Sequence, residues 1–231
     1  MADSPAKRHL ARQLAAKAAA AAAPDQLMDG AGIYEETMLQ LVSDKRRLKQ
    51  IQSAAMKGQA KAAMLPAYRP YIEGVLSQGR GARDDIITTL MLWSMDAGDY
   101  PAALEIAAYV LQHDLPMADS FQRTTGCVVA EEIADAALNA QKTSVAFDQA
   151  VLDTAAQLTE GKDMPDQVRA KLLLARARGA FAKGEPTAEA LQHVVDDLRT
   201  AIQLHDSCGG KEDLKRAERL LNKLTDSQPT G

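Results

Sequence analysis

The sequence predicts an all-α protein, on three observations. Alanine is abundant while aromatic residues make up only 4% of the chain. Apolar residues return at spacings of three, four and seven, the period of a helix with one buried face. Runs of β-branched residues, which strands favour, are scarce. With 231 residues, 46% of them hydrophobic and 25% charged, the chain has an ordinary globular composition and is long enough to bury a core.

The opening segment SPAKRHLARQLAAKAAAAAAP reads as a helix. Ser4 is placed to cap it, Pro5 fits the first helical position and Pro24 stops it. Leu10 and Leu14 are its only large apolar residues, so it must dock elsewhere or stay mobile. Residues 25–32, with Asp29, Gly30 and Gly32, read as a linker. A long helix is expected from about Ile33 to Met64. Tyr34, Leu41, Leu48 and Ala55 form a heptad line along it, suggestive of helix pairing but too short to establish a coiled coil. Pro66 and Pro70 are expected to break it.

Helices resume with ARDDIITTLMLWSMDAG and DYPAALEIAAYVLQHDLP, ended by Gly98 and Pro116. The turn between them resembles that of a tetratricopeptide helix pair, and a partial second match stands at Gly184. The two turns lie 86 residues apart, which is no multiple of the usual period of about 34, so stacked helical hairpins are expected and not a repeat array. Further helices are expected near 126–141, 145–160, from Pro165 onward, and over 211–224. Four regions follow: 1–29, a basic helix and linker; 30–80, a long-helix region whose basic faces suit an anionic polymer and whose heptad line suits oligomerisation; 81–224, a helical-hairpin domain; and 225–231, a flexible tail.

Net charge is −4, but it is unevenly spread. Residues 1–83 hold 13 Lys/Arg against 7 Asp/Glu, a balance of +6; residues 84–231 hold 14 against 24, a balance of −10. The basic part suits an anionic polymer and the acidic part suits protein partners. The candidate phosphate contacts are Lys7, Arg8, Arg12 and Lys17 in the first helix, then Lys45, Arg46, Arg47, Lys49, Lys57 and Lys61. A solvated helix face is the commoner reason for clusters of this size, and no zinc-finger spacing or clear helix-turn-helix stands out in the first 80 residues.

Catalytic constellations are harder to find. The acid doublets Asp84-Asp85, Glu131-Glu132 and Asp196-Asp197 diverge by about 100° on a helix, so no doublet makes a metal site by itself. His9, His113, His193 and His205 have no partner at metal-ligand spacing. Cys127 and Cys208 read as two reduced thiols. No Walker loop or nucleophile elbow is present. No apolar run approaches the roughly 20 residues that cross a bilayer, and no secretion signal is read. On residues alone this is a helical binding protein with a basic front and an acidic back.

Several stretches add a resemblance: SPAKRH, YEETMLQLVSDKRRLKQI, LPAYRPYIEGVL, EEIADAAL, DMPDQVRAKL and, above all, GARDDIITTLMLWSMDAGDYPAALEIAAYVLQHDLPM. Together they resemble the terminase small subunit of temperate, contractile-tailed phages over nearly the full chain. The resemblance implies a protein that recognises the cohesive-end packaging site on double-stranded phage DNA. It also implies recruitment and regulation of a large ATPase subunit, and assembly as a homo-oligomeric ring. The expected place of action is the host bacterial cytoplasm, with no membrane partner and no place in the mature virion. The family carries the label endonuclease subunit, yet no catalytic constellation is visible, so enzymatic activity stays open. No cofactor is expected, a divalent metal being needed only if the chain is a genuine cohesive-end nuclease. Members can end in a Lys/Arg-rich tail; this sequence ends SQPTG, which shifts the expected DNA contact to the N-terminal segment. A helical adaptor that never touches DNA is the remaining alternative.

Overall fold

The computed structural model describes residues 4–24, 26–117, 123–182 and 187–226. Among the described residues it is all-α, with ten helices and no strand. The chain divides into two compact units, Met1–Thr125 and Gly126–Gly231.

The first unit is built from α1 (Pro5–Ala21), α2 (Gly32–Lys49), α3 (Ala54–Gln78), α4 (Asp85–Asp96) and α5 (Tyr100–Gln112). Ser4 caps α1, its Oγ accepting from the Lys7 amide at 3.3 Å, with Pro5 at the first turn. Of the two options open to an alanine-rich helix, the structure takes docking. Ala15 and Ala19 are buried against α3. A Cβ built on Gly74 of α3 would lie 2.5 Å from the Arg12 carbonyl oxygen and 2.7 Å from the Ala15 Cβ, so only glycine admits this approach. The linker is also held. Leu27 and Arg83 form an isolated parallel bridge, in which the Met28 amide donates to the Arg83 carbonyl and the Arg83 amide to that of Gln26.

The single long helix expected over Ile33–Met64 is two helices. α2 ends at Lys49, and Ser53 starts α3 by accepting from the Met56 amide at 3.4 Å. The heptad line is interrupted there: Tyr34, Leu41 and Leu48 turn into the core of their own unit, while Ala55 is exposed. Pro66 and Pro70 do not end a helix either, since α3 runs through both. An interior proline costs on the order of 3 kcal/mol. Burial of Tyr68, Pro70, Tyr71, Ile72 and Val75 offsets that cost.

Two tyrosine–aspartate pairs tie α3 to its neighbours. The Tyr68 hydroxyl donates to Asp44 Oδ2 of α2 at 2.8 Å, and the Tyr71 hydroxyl donates to Asp84 Oδ2 at 2.7 Å. Asp84 also caps α4, its Oδ1 accepting from the Ile86 and Ile87 amides. α4 and α5 form a helical hairpin through Gly98, whose φ of 78° suits glycine, and Asp99 caps α5.

The second unit contains α6 (Thr125–Lys142, from Gly126 onward), α7 (Gln149–Leu158), α8 (Asp166–Ala182), α9 (Ala188–Leu204) and α10 (Lys211–Asp226). α9 packs between α8 and α10 over a core of Leu174, Val194, Val195, Leu198 and Ala217. The expected turn at Gly184 lies outside the described residues, but the helices on either side of it are paired. Thr225 and Asp226, expected in the tail, belong to α10; residues 227–231 lie outside the described residues.

Candidate nucleic-acid interface

α1 carries four cations and no acid. Two buried alanines on one side set how the rest of the helix is presented. Lys7, Leu10, Leu14 and Lys17, spaced three, four and three apart, form an outward stripe, with Leu10 57% and Leu14 44% exposed. Arg8 and Arg12, one turn apart, instead line a groove against α3 and α5. Arg12 Nη1 stands 3.8 Å from Glu73 Oε2, whereas Lys7, Arg8 and Lys17 are exposed without an acid partner among the described residues.

The cations of α2 divide in the same way. With Tyr34, Leu41 and Leu48 facing the core, Leu39, Val42, Arg46 and Lys49 make a second outward stripe at the same spacing. Leu39 is 72% exposed. Arg46 and Lys49 are exposed and have no acid partner among the described residues. Arg47 pairs with Asp44 at 3.0 Å, and Lys45 Nζ reaches Thr89 Oγ1 of α4 at 3.4 Å. These four α2 cations sit in or beside the helix's last turn, where carbonyl ends attract positive charge, so they also stabilise the helix. On α3, Lys57 is half-buried, and Lys61 is paired with Asp96. Of the ten sequence candidates, five are therefore exposed and unpaired among the described residues: Lys7, Arg8, Lys17, Arg46 and Lys49.

The units do not follow the charge division of the sequence. Residues 1–125 hold 14 Lys/Arg and 14 Asp/Glu, so the first unit is neutral, and residues 126–231 hold 13 and 17, a balance of −4. Acids spread along the whole unit, among them Asp85, Asp96 and Glu105 of α4 and α5, balance its cations.

Two of the three acid doublets have structural work. Asp84 is the buried cap of α4, and burial raises its pKa to about 6 against the opposing pull of its hydrogen bonds. Asp85 pairs with Arg83, Asp197 with Arg176, and Asp196 accepts from Gln192 at 2.9 Å. Among the described residues no three His, Cys, Asp or Glu side chains are grouped to hold a metal ion. Cys127 and Cys208 are not joined in a disulfide. Among the described residues no helix is long and apolar enough to cross a membrane.

Sequence reasoning misses the two tyrosine locks, the role of Gly74 and both outward stripes. The spacing of Tyr68 and Tyr71, one on each side of Pro70, is the available signal. It is masked when the prolines are taken as helix breakers.

Comparison with known proteins gives the family of the chain. Residues 38–167, just over half the chain, match the family described as phage small terminase subunit. The chain is 40% identical over 228 residues to the protein named terminase, endonuclease subunit, of Escherichia phage P2, covering 98% of this chain and 89% of that one. It is 25% identical over 173 residues to the probable terminase, endonuclease subunit, of Haemophilus phage HP1, covering 71% of this chain and 61% of that one. No solved structure matches. The matched segment spans most of α2 through α7, including both tyrosine locks, and on these grounds the chain belongs to the phage small terminase subunit family.

Proposed function

We propose that the chain recognises double-stranded phage DNA at the cohesive-end packaging site through the outward cations of α1 and α2, and hands that DNA to the large ATPase subunit in the host cytoplasm. The observation that carries this reading is α1 itself: a helix with four cations and no acid, held on the surface of a neutral unit. Together with Arg46 and Lys49 it offers several phosphate contacts, each of which releases counterions on binding. Phosphate contacts fix position, not sequence, so site choice is expected to draw on DNA bending as well as base contacts. Assembly into a ring would present many such arms at once and raise avidity. The exposed Leu10, Leu14, Leu39 and Val42 supply apolar surface for that assembly.

A titration of cohesive-end duplex against salt tests the DNA reading. Replacing Lys17, Arg46 and Lys49 by Ala should weaken binding. It should also reduce the slope of log affinity against log salt by about 0.9 for each phosphate that is no longer neutralised. An unchanged slope would remove these helices from the DNA site. The relatives' names favour a second reading, an endonuclease, which requires metal-dependent cutting of the same duplex by this chain alone.

A further inference from the structure

The groove of about 560 Å³ between α1, α3 and α5 is the size of a ligand site, and its chemistry is unlike that of a DNA-binding surface. Its floor is apolar, formed by the buried Pro70, Ile72 and Ile106, with Leu65 and Pro66 also in its lining. Its rim carries Arg8, His9 and Arg12 from α1 and Arg69 from α3. Two of these arginines already converge on a carboxylate. Glu73 Oε1 accepts from Arg69 Nε at 3.1 Å, and Glu73 Oε2 stands 3.8 Å from Arg12 Nη1. Arg69 Nη2 also reaches Glu105 at 3.4 Å. The other acid of the lining, Asp99, is committed to capping α5. Glu73 is about as exposed as its two partners, at 40% against 46% and 48%, so another carboxylate can take its place from solvent.

The groove therefore combines cationic donors with an apolar floor. A DNA duplex offers phosphates to the first, but has no apolar side chains for the last.

We infer that this groove docks a protein partner through a peptide segment that carries both carboxylates and apolar side chains, the incoming carboxylate displacing Glu73 from Arg12 and Arg69. Charge complementarity selects an acidic segment, and the apolar floor selects peptide over nucleic acid.

The test uses the full chain and three fluorescein-labelled probes: a peptide of alternating acidic residues and leucine, its lysine–leucine counterpart of equal length, and cohesive-end duplex DNA. Two variants probe the groove while leaving Lys17, Arg46 and Lys49 in place. Ala102→Trp fills it, since Ala102 lines it, and Arg69→Glu reverses its rim. Thermal unfolding checks that each is folded. The acidic peptide should bind saturably and the lysine peptide should not. Each folded variant should lose about tenfold or more in peptide affinity while binding duplex as the parent does. No binding of the acidic peptide, equal binding of both peptides, or unchanged affinity in the variants overturns the inference. If duplex DNA displaces the peptide and Ala102→Trp weakens the duplex, the groove belongs to DNA and the peptide proposal falls. The salt titration of the α1 and α2 stripes depends on different residues, so either proposal can fail alone.

Discussion

Gly74 shows how one missing side chain places a helix. A methyl group there would stand 2.5 to 2.9 Å from three α1 atoms, two of them backbone, and backbone cannot swing aside as a long side chain does. Gly74→Ala should therefore push α1 off α3, at a cost of about 1–3 kcal/mol. Faster tryptic cleavage at Lys7, Arg8, Arg12 and Lys17 is the readout, and an unchanged digestion rate would mean that α1 is not held there. Asp84 makes a second prediction. Its pKa rises from 3.8 to about 6 on folding because burial penalises the charged form. A raised folded value means that its contribution is fully present below the unfolded pKa and is lost as pH rises through about 6. Unfolding titrations should show the parent losing stability between pH 4 and 6.5 relative to Asp84→Asn, by up to about 3 kcal/mol at 1.4 kcal/mol per unit. Asparagine keeps the capping oxygen but cannot ionise. Parallel curves for the two proteins would refute a net cost of the buried charge. Neither residue stands out in the sequence, because Gly74 reads as one glycine among 14 and Asp84 as half of a doublet.

At the scale of elements, local chemistry makes most helices legible. Ser4 with Pro5, Asp99 before Tyr100, and Pro165 before α8 mark helix starts from sequence alone. The misplaced boundary has a signal, Ser53, which competes with the backbone and so favours a cap over a helix interior. The apolar period runs on across the break, since Ile51 and Ala55 continue it, and that period outweighs the cap when only the sequence is read. Pro66 and Pro70 err the other way. Proline propensity is a local rule, and α3 survives it because its neighbours hold Tyr68 and Tyr71 by their hydroxyl groups. Such long-range compensation is invisible to any window of sequence. The basic residues are legible as a composition, but not as a surface. Only with the core faces known do Lys17, Arg46 and Lys49 separate from Lys45, Arg47 and Lys61, which are tied within the unit.

The whole molecule is two helical units whose boundary falls at 125/126, while the charge changes sign near residue 83. The change of charge therefore falls inside the first unit, between α3 and the α4–α5 hairpin. On the proposed reading this unit meets DNA on its α1 and α2 stripes, while the acids in and beside α4 and α5 are held within the unit by Tyr71, Arg83, Lys61 and Arg69 and the net-negative second unit suits protein partners. The most direct test of this account is hydrogen–deuterium exchange of the full chain with and without cohesive-end duplex. The account predicts slowed exchange in α1 and in the last turns of α2, with α8 to α10 unchanged. Protection confined to α8 to α10, with α1 and α2 exchanging as in the free protein, would contradict it.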